Sequence, residues 1–178
     1  MKPFPFLIRK NRHAATPRLT RFWAGKSEWE FEFTLPKTAW YTHGEIKHPG
    51  ISKIIGLSFG IHAEKPFGST PVLKEAVNSL VIGFEPVFDY QNYFKLFAIN
   101  DNRGMETRPS LGLVVAANET VKGKIYKING QGCYLEIMDD EFYYPMNALP
   151  CGYYLFPYFG GKSKAVRDMI ISTNITSK

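Results

Sequence analysis

Acidic side chains are missing from the start of this chain. No Asp or Glu precedes Glu28, whereas Lys2, Arg9, Lys10, Arg12, Arg18, Arg21 and Lys26 all lie before it. The remaining residues carry 15 basic against 16 acidic side chains, so the formal charge of +6 belongs to the first 26 residues. Cysteine is scarce: Cys133 and Cys151 are too few for a disulfide framework and read as two free thiols. No apolar run is long enough to span a bilayer, so no membrane partner is expected. The patch Phe4, Phe6, Leu7, Ile8 is broken by Pro5 and closed by Arg9, which is too short for a signal-peptide core. Helical periodicity is nearly absent. One candidate, Pro71–Val77, offers about one and a half turns, and no recognition helix or RNA-binding signature is present.

What is there favours strands. Hydrophobic residues make up 44% of the 178, which excludes a wholly disordered chain, and aromatic residues make up 15%. Glu28-Trp29-Glu30-Phe31-Glu32-Phe33 alternates acid and aromatic with a period of two, as a half-buried strand does. Lys53–His62, Asn78–Val87 and Leu111–Ala117 read as buried strands, and Tyr93–Ile99 as a further apolar one. Asn100-Asp101-Asn102-Arg103-Gly104 reads as a turn. Ile125–Ile128 and Cys133–Met138 flank Asn129-Gly130-Gln131-Gly132 as a hairpin. Glu141–Tyr144, Tyr153–Tyr158 and Met169–Ile175 bring the total to about ten strands. Short strands with regular turn signals predict an all-β antiparallel sandwich of the jelly-roll or concanavalin-like kind over residues 27–178. Residues 1–26, with Pro3, Pro5 and Pro17, predict an extended basic arm.

Motifs for catalysis and metal binding fail on spacing. Gly160-Gly161-Lys162-Ser163 has Phe156 where a phosphate-binding loop needs glycine, so a tight turn is the better reading. His62-Ala63-Glu64 lacks the paired cysteines of a zinc deaminase, because Cys151 is followed by Gly152, Tyr153 and Tyr154. His43, Glu45 and His48 lack a fourth ligand, and Asp139-Asp140-Glu141 reads as a solvated hairpin turn. No metal or cofactor is therefore expected. Glu85 and Asp89, flanking an aromatic stretch, are the pair a sandwich glycoside hydrolase would need. The most suggestive tract of the body is aromatic: Tyr143, Tyr144, Tyr153, Tyr154, Phe156, Tyr158 and Phe159. Exposed rings here would form a platform for a sugar or a protein, and alternation would bury about half of them.

Leu155-Phe156-Pro157-Tyr158-Phe159-Gly160-Gly161, followed by Ala165 and Asp168-Met169-Ile170-Ile171, resembles a turn-and-strand signature of small β-sandwich proteins of gut Bacteroidetes and their phages. Ile54–His62, Asn78–Phe84 and Leu111-Gly112 are similar to strands of the same group. The resemblance spans residues 50–175 and implies a sandwich in a phage or Bacteroidetes setting, with no chemistry attached. The chain departs from the pattern at Val166 and Arg167, where Pro and His are expected, so any site using that His is lost.

The expectation from sequence is a non-enzymatic assembly protein, a virion ring, neck or capsid-auxiliary subunit put together in the bacterial cytoplasm. Phe4, Phe6, Leu7 and Ile8 would bury in a neighbouring subunit, and Arg9, Lys10, Arg12, Arg18 and Arg21 would meet acidic protein or nucleic acid. Homo-oligomers are expected. The alternative is a lectin-like carbohydrate-binding module using Tyr143, Tyr144, Tyr153 and Tyr154, with Asp139 and Asn147 as polar partners.

Overall fold

The computed structural model describes residues 3–17, 21–46, 50–60, 78–102, 105–128, 130–160 and 162–178. Thirteen strands follow in chain order: β1 (Phe4–Ile8), β2 (Phe22–Ala24), β3 (Glu28–Thr34), β4 (Ser52–Phe59), β5 (Ser79–Pro86), β6 (Tyr93–Asn102), β7 (Met105–Thr107), β8 (Ser110–Ala116), β9 (Thr120–Ile128), β10 (Gly132–Ile137), β11 (Asp140–Pro145), β12 (Cys151–Leu155) and β13 (Met169–Ser177). Two short 3-10 turns, Lys37–Ala39 and His43–Glu45, lie between β3 and β4. Sheet A has the order β1-β13-β3-β9-β10-β11; sheet B has β2-β12-β4-β5-β6-β7, with β8 also on β6. Every strand pairing is antiparallel, and the all-β sandwich expected from the sequence is the observed fold.

Alternation builds sheet A. In β3 the aromatic residues Trp29, Phe31 and Phe33 face inward and are buried, while Glu28, Glu30 and Glu32 face out. Sheet B is different: in β5 nearly every residue is buried, so both of its faces are covered. Leu80, Ile82 and Phe84 belong to the main core, whereas Val81, with Ile99 opposite it on β6, is buried on the far side. Trp23, Trp29 and Phe59 close one part of the core as mutually edge-on rings 4.7–6.0 Å apart. Lys127 is buried beside them, its ammonium 5.6 Å from the Trp23 ring centroid and donating to the Leu149 carbonyl at 3.5 Å.

The expected free arm is corrected. β1 pairs along its whole length with β13, from Phe4 opposite Thr173 to Ile8 opposite Met169, and forms an edge of sheet A. Phe6 and Ile8 are buried in the core, a gain of about 2 kcal/mol each. Backbone hydrogen bonds join Asn11 to Ala165, Ala15 to Pro157 and Phe159 to His13, and β2 forms an edge of sheet B against β12. The physical reason is complementarity of edges: β13 and β12 each need a further partner, and the N-terminal segment supplies both. Of the turn expected at 100–104, the first three residues are corrected to strand, because Asn100–Asn102 belong to β6 and pair with β7. Its last two residues lie outside the described residues. The helix expected at Pro71–Val77 lies outside the described residues, as does the last part of the strand expected to reach His62.

Candidate binding face

Sheet A leaves its outer face open. Cross-strand register sets the outward side chains of β13, β3, β9, β10 and β11 in rows. One row runs Asn174, Glu32, Lys122; the next runs Thr176, Glu30, Lys124, Glu136, Glu141; the third runs Glu28, Tyr126, Tyr134, Tyr143. A groove of about 700 Å³ lies over the first two rows, bounded at one end by Met138 and Asp139.

The charged groups on this face are partly paired. Lys178 binds Glu30 at 2.6 Å and Glu28 at 3.5 Å, and Lys124 lies 4.0 Å from Glu136. The Tyr126 hydroxyl donates to Glu136 at 2.8 Å. That hydrogen bond, with some desolvation, raises the Tyr126 pKa above the ordinary phenol value and keeps its proton on. The Lys178 hydrogen bond holds the Glu30 carboxyl below its usual range despite opposing desolvation. The Tyr134 and Tyr143 rings pack 5.0 Å apart, and the Tyr143 hydroxyl donates to the Gln131 carbonyl at 2.9 Å. Tyr143 is 47% exposed, so a broad ring surface stands free above the sheet.

Of the four tyrosines expected to form a platform, the structure places Tyr143 alone at the surface. Tyr144, Tyr153 and Tyr154 are corrected to buried positions, 6–7% exposed, because alternation turns Tyr144 and Tyr154 toward the core and Tyr153 is covered on the far side of sheet B. Tyr154 is also capped by the Arg21 guanidinium, 4.9 Å from its ring centroid. Tyr126 and Tyr134 were missed, although the alternation of β9 and β10 marks them as outward.

The expected partner-binding residues separate likewise. Phe6 and Ile8 are core, Leu7 is half-buried, and Phe4 packs 5.0 Å from Phe6. Arg9, Lys10 and Arg12 are exposed, in a bend whose backbone is hydrogen-bonded to Asp168 and Ala165. Arg18 lies outside the described residues, as do His48 and His62-Ala63-Glu64. Glu45 caps its own 3-10 turn through the Thr42 N–H at 2.7 Å and pairs with Arg167, so the residue standing where relatives were expected to carry His fastens two loops together. Met138 and Asp139, both at positive φ, make the β10–β11 turn, so of the acidic tract expected to form it only Asp139 does; Asp140 and Glu141 are corrected to β11, where they pair with Ile137 and Glu136. Gly160 is a close-approach position: its N–H donates to Ser52 Oγ at 3.1 Å, and a side chain there would strike the Ile51 carbonyl. Glu85 lies on β5 opposite Lys95, and Asp89 lies in the connection to β6. No group of three or more His, Cys, Asp or Glu side chains is placed to hold a metal among the described residues, and no helix there is long and apolar enough to cross a membrane.

No family model matches the chain, and no curated protein matches it. Among solved structures it is similar to a polysaccharide lyase of family 18, with TM-score 0.54 and 11% identity over 99% of this chain and 87% of that one. It is similar to the alginate lyase from Alteromonas sp. 272, with TM-score 0.53 and 12% identity over the same shares. A carbohydrate binding module from Bacillus subtilis follows at TM-score 0.45 and 10% identity, over 97% of this chain and 85% of that one. At these identities the likeness to the two lyases is one of fold.

Proposed function

We propose that this chain is a carbohydrate-binding module that holds saccharide on the outer face of sheet A without turning it over. The observation that carries this reading is the open tyrosine row, Tyr126, Tyr134 and Tyr143, beside a polar groove on the same face. A tyrosine ring covers the apolar face of a sugar ring, while the neighbouring carboxylates, ammonium groups and amide satisfy its hydroxyls. The likeness to an alginate lyase brings a polysaccharide into consideration and supplies no residue. Support for binding rather than lyase chemistry comes from Tyr126: elimination needs a base, and this phenol spends its proton on Glu136. The assembly reading drew on a free N-terminal arm and on the resemblance to phage proteins, and the pairing of β1 with β13 weakens the first of these.

The test is calorimetric titration of the full chain with a panel of oligosaccharides. Saturable binding is expected, weakened about tenfold by Tyr143→Ala and about as much by Tyr126→Phe, which keeps the ring but frees Glu136. Saturable binding untouched by both variants would place the site elsewhere and sink the assignment to this face.

A further inference from the structure

The charges on this face point to the class of sugar, an inference that rests on the reading of sheet A as the saccharide site. We infer that the ligand is an uncharged saccharide lying across the strands along the tyrosine row, and that uronate-bearing chains are rejected. Four carboxylates line the groove, on Glu30, Glu32, Glu136 and Asp139, against the two ammonium groups of Lys122 and Lys124. Lys178 is already engaged with Glu28 and Glu30, and Lys124 lies beside Glu136. A uronate in each sugar unit brings further negative charge to a surface with no surplus of cations, and unpaired like charges at short range select against a ligand. A hydroxyl, by contrast, donates and accepts at once. The row Thr176, Glu30, Lys124, Glu136 alternates acceptor-rich and donor-rich side chains from strand to strand, a pattern that suits a polyol better than an ion.

The direction of the chain follows from the register. Tyr126, Tyr134 and Tyr143 are directly opposite one another on β9, β10 and β11, so their row runs perpendicular to the strands. Strands lie about 4.8 Å apart, and the charged row lies two residues, about 7 Å, along each strand from the tyrosines. A saccharide set on the rings along this row therefore turns one edge toward Lys124 and Glu136, and three strands give it a footing of about 10 Å.

The experiment titrates the full chain at low salt with neutral hexaoses (glucan, mannan and xylan series) and with a mannuronate hexamer. At least one neutral hexaose is expected to bind, and the mannuronate hexamer at least about tenfold more weakly. In Glu30→Gln/Glu136→Gln, with the two groove carboxylates of the row beside the tyrosines neutralised, the ratio between the two ligands is expected to narrow several-fold. A mannuronate hexamer bound as tightly as every neutral hexaose, or more tightly, overturns the inference and leaves the saccharide reading standing. A ratio unchanged in the double variant also overturns it, because the groove carboxylates would then not set the preference. Binding to none of the ligands overturns both.

Discussion

The two sheets share a core and differ on their outer sides. In the central strand of sheet A, β3, buried and half-buried residues alternate without a break; in β5 of sheet B the side chains on both faces are buried. A sandwich requires one apolar face per sheet. A second apolar face means that it is covered, and an alternating strand means that the other side meets water. Sheet A therefore presents its outer side to water, while β5 of sheet B, among the described residues, is packed on both sides. The N-terminal residues serve both sheets, with β1 closing an edge of A and β2 an edge of B.

The largest expected effect comes from removing that shared element. Deleting residues 1–26 strips an edge strand from each sheet and takes Phe6, Ile8 and Trp23 from the core. At about 2 kcal/mol for each large buried side chain, before any hydrogen bonds are counted, the loss is comparable to the whole stability of a small domain. Urea denaturation followed by circular dichroism should show no cooperative transition in the truncated chain. A cooperative transition at the full-length midpoint would mean that the segment is an appendage after all.

A matched pair of substitutions tests the outer faces. Val81 is 1% exposed on the outer side of β5, and Glu32 stands on the outer side of β3. Val81→Asp buries an unpaired charge and should cost about 3 kcal/mol or more. Glu32→Ser should change stability by no more than about 0.5 kcal/mol. Equal tolerance at the two positions would break the contrast between a packed and an open face.

Much of this contrast could be read from residue order, and the site only in part. The period of two in Glu28–Phe33 names the outward acids and the inward aromatics correctly, because a half-buried strand writes its environment into every second residue. The near-continuous apolar runs of β4 and β5 were likewise readable as buried strands. The N-terminal strand was not. It turns only two apolar residues, Phe6 and Ile8, inward, its prolines and basic residues suggest an arm, and its partner β13 is more than 160 residues away. Pairing over that separation leaves no local trace. The groove failed to show for the same reason: Glu32, Lys122 and Asn174 are each outward by alternation, but only the order β13-β3-β9 brings them into one row. The tract at 143–159 is dense in tyrosine, whereas the outward ladder takes one ring from each of three strands, with Tyr126 and Tyr134 half-buried and Tyr143 exposed.

The smallest expected effect concerns the inner side of sheet A, which should be as closed as its outer side is open. Cys133 faces inward on β10 and is fully buried, and burial pushes its thiol up to about 12, only slightly offset by the positive charge of Lys127. Cys151, on β12 of sheet B, is half-buried, and both thiols are free. A thiol-exchange reagent at pH 8 should therefore titrate Cys151 in the native chain and reach Cys133 only after unfolding. The sign of the linkage adds a check. The folded pKa of Cys133 lies above the unfolded value of about 8.5, so its contribution to stability is complete below that pH and is lost as pH rises toward 12. The urea midpoint should fall through that alkaline range, and Cys133 should become reactive along with it. Equal reactivity of both thiols at pH 8 would mean that the layer beneath the binding face opens readily, and sheet A could not then act as a rigid platform for a saccharide.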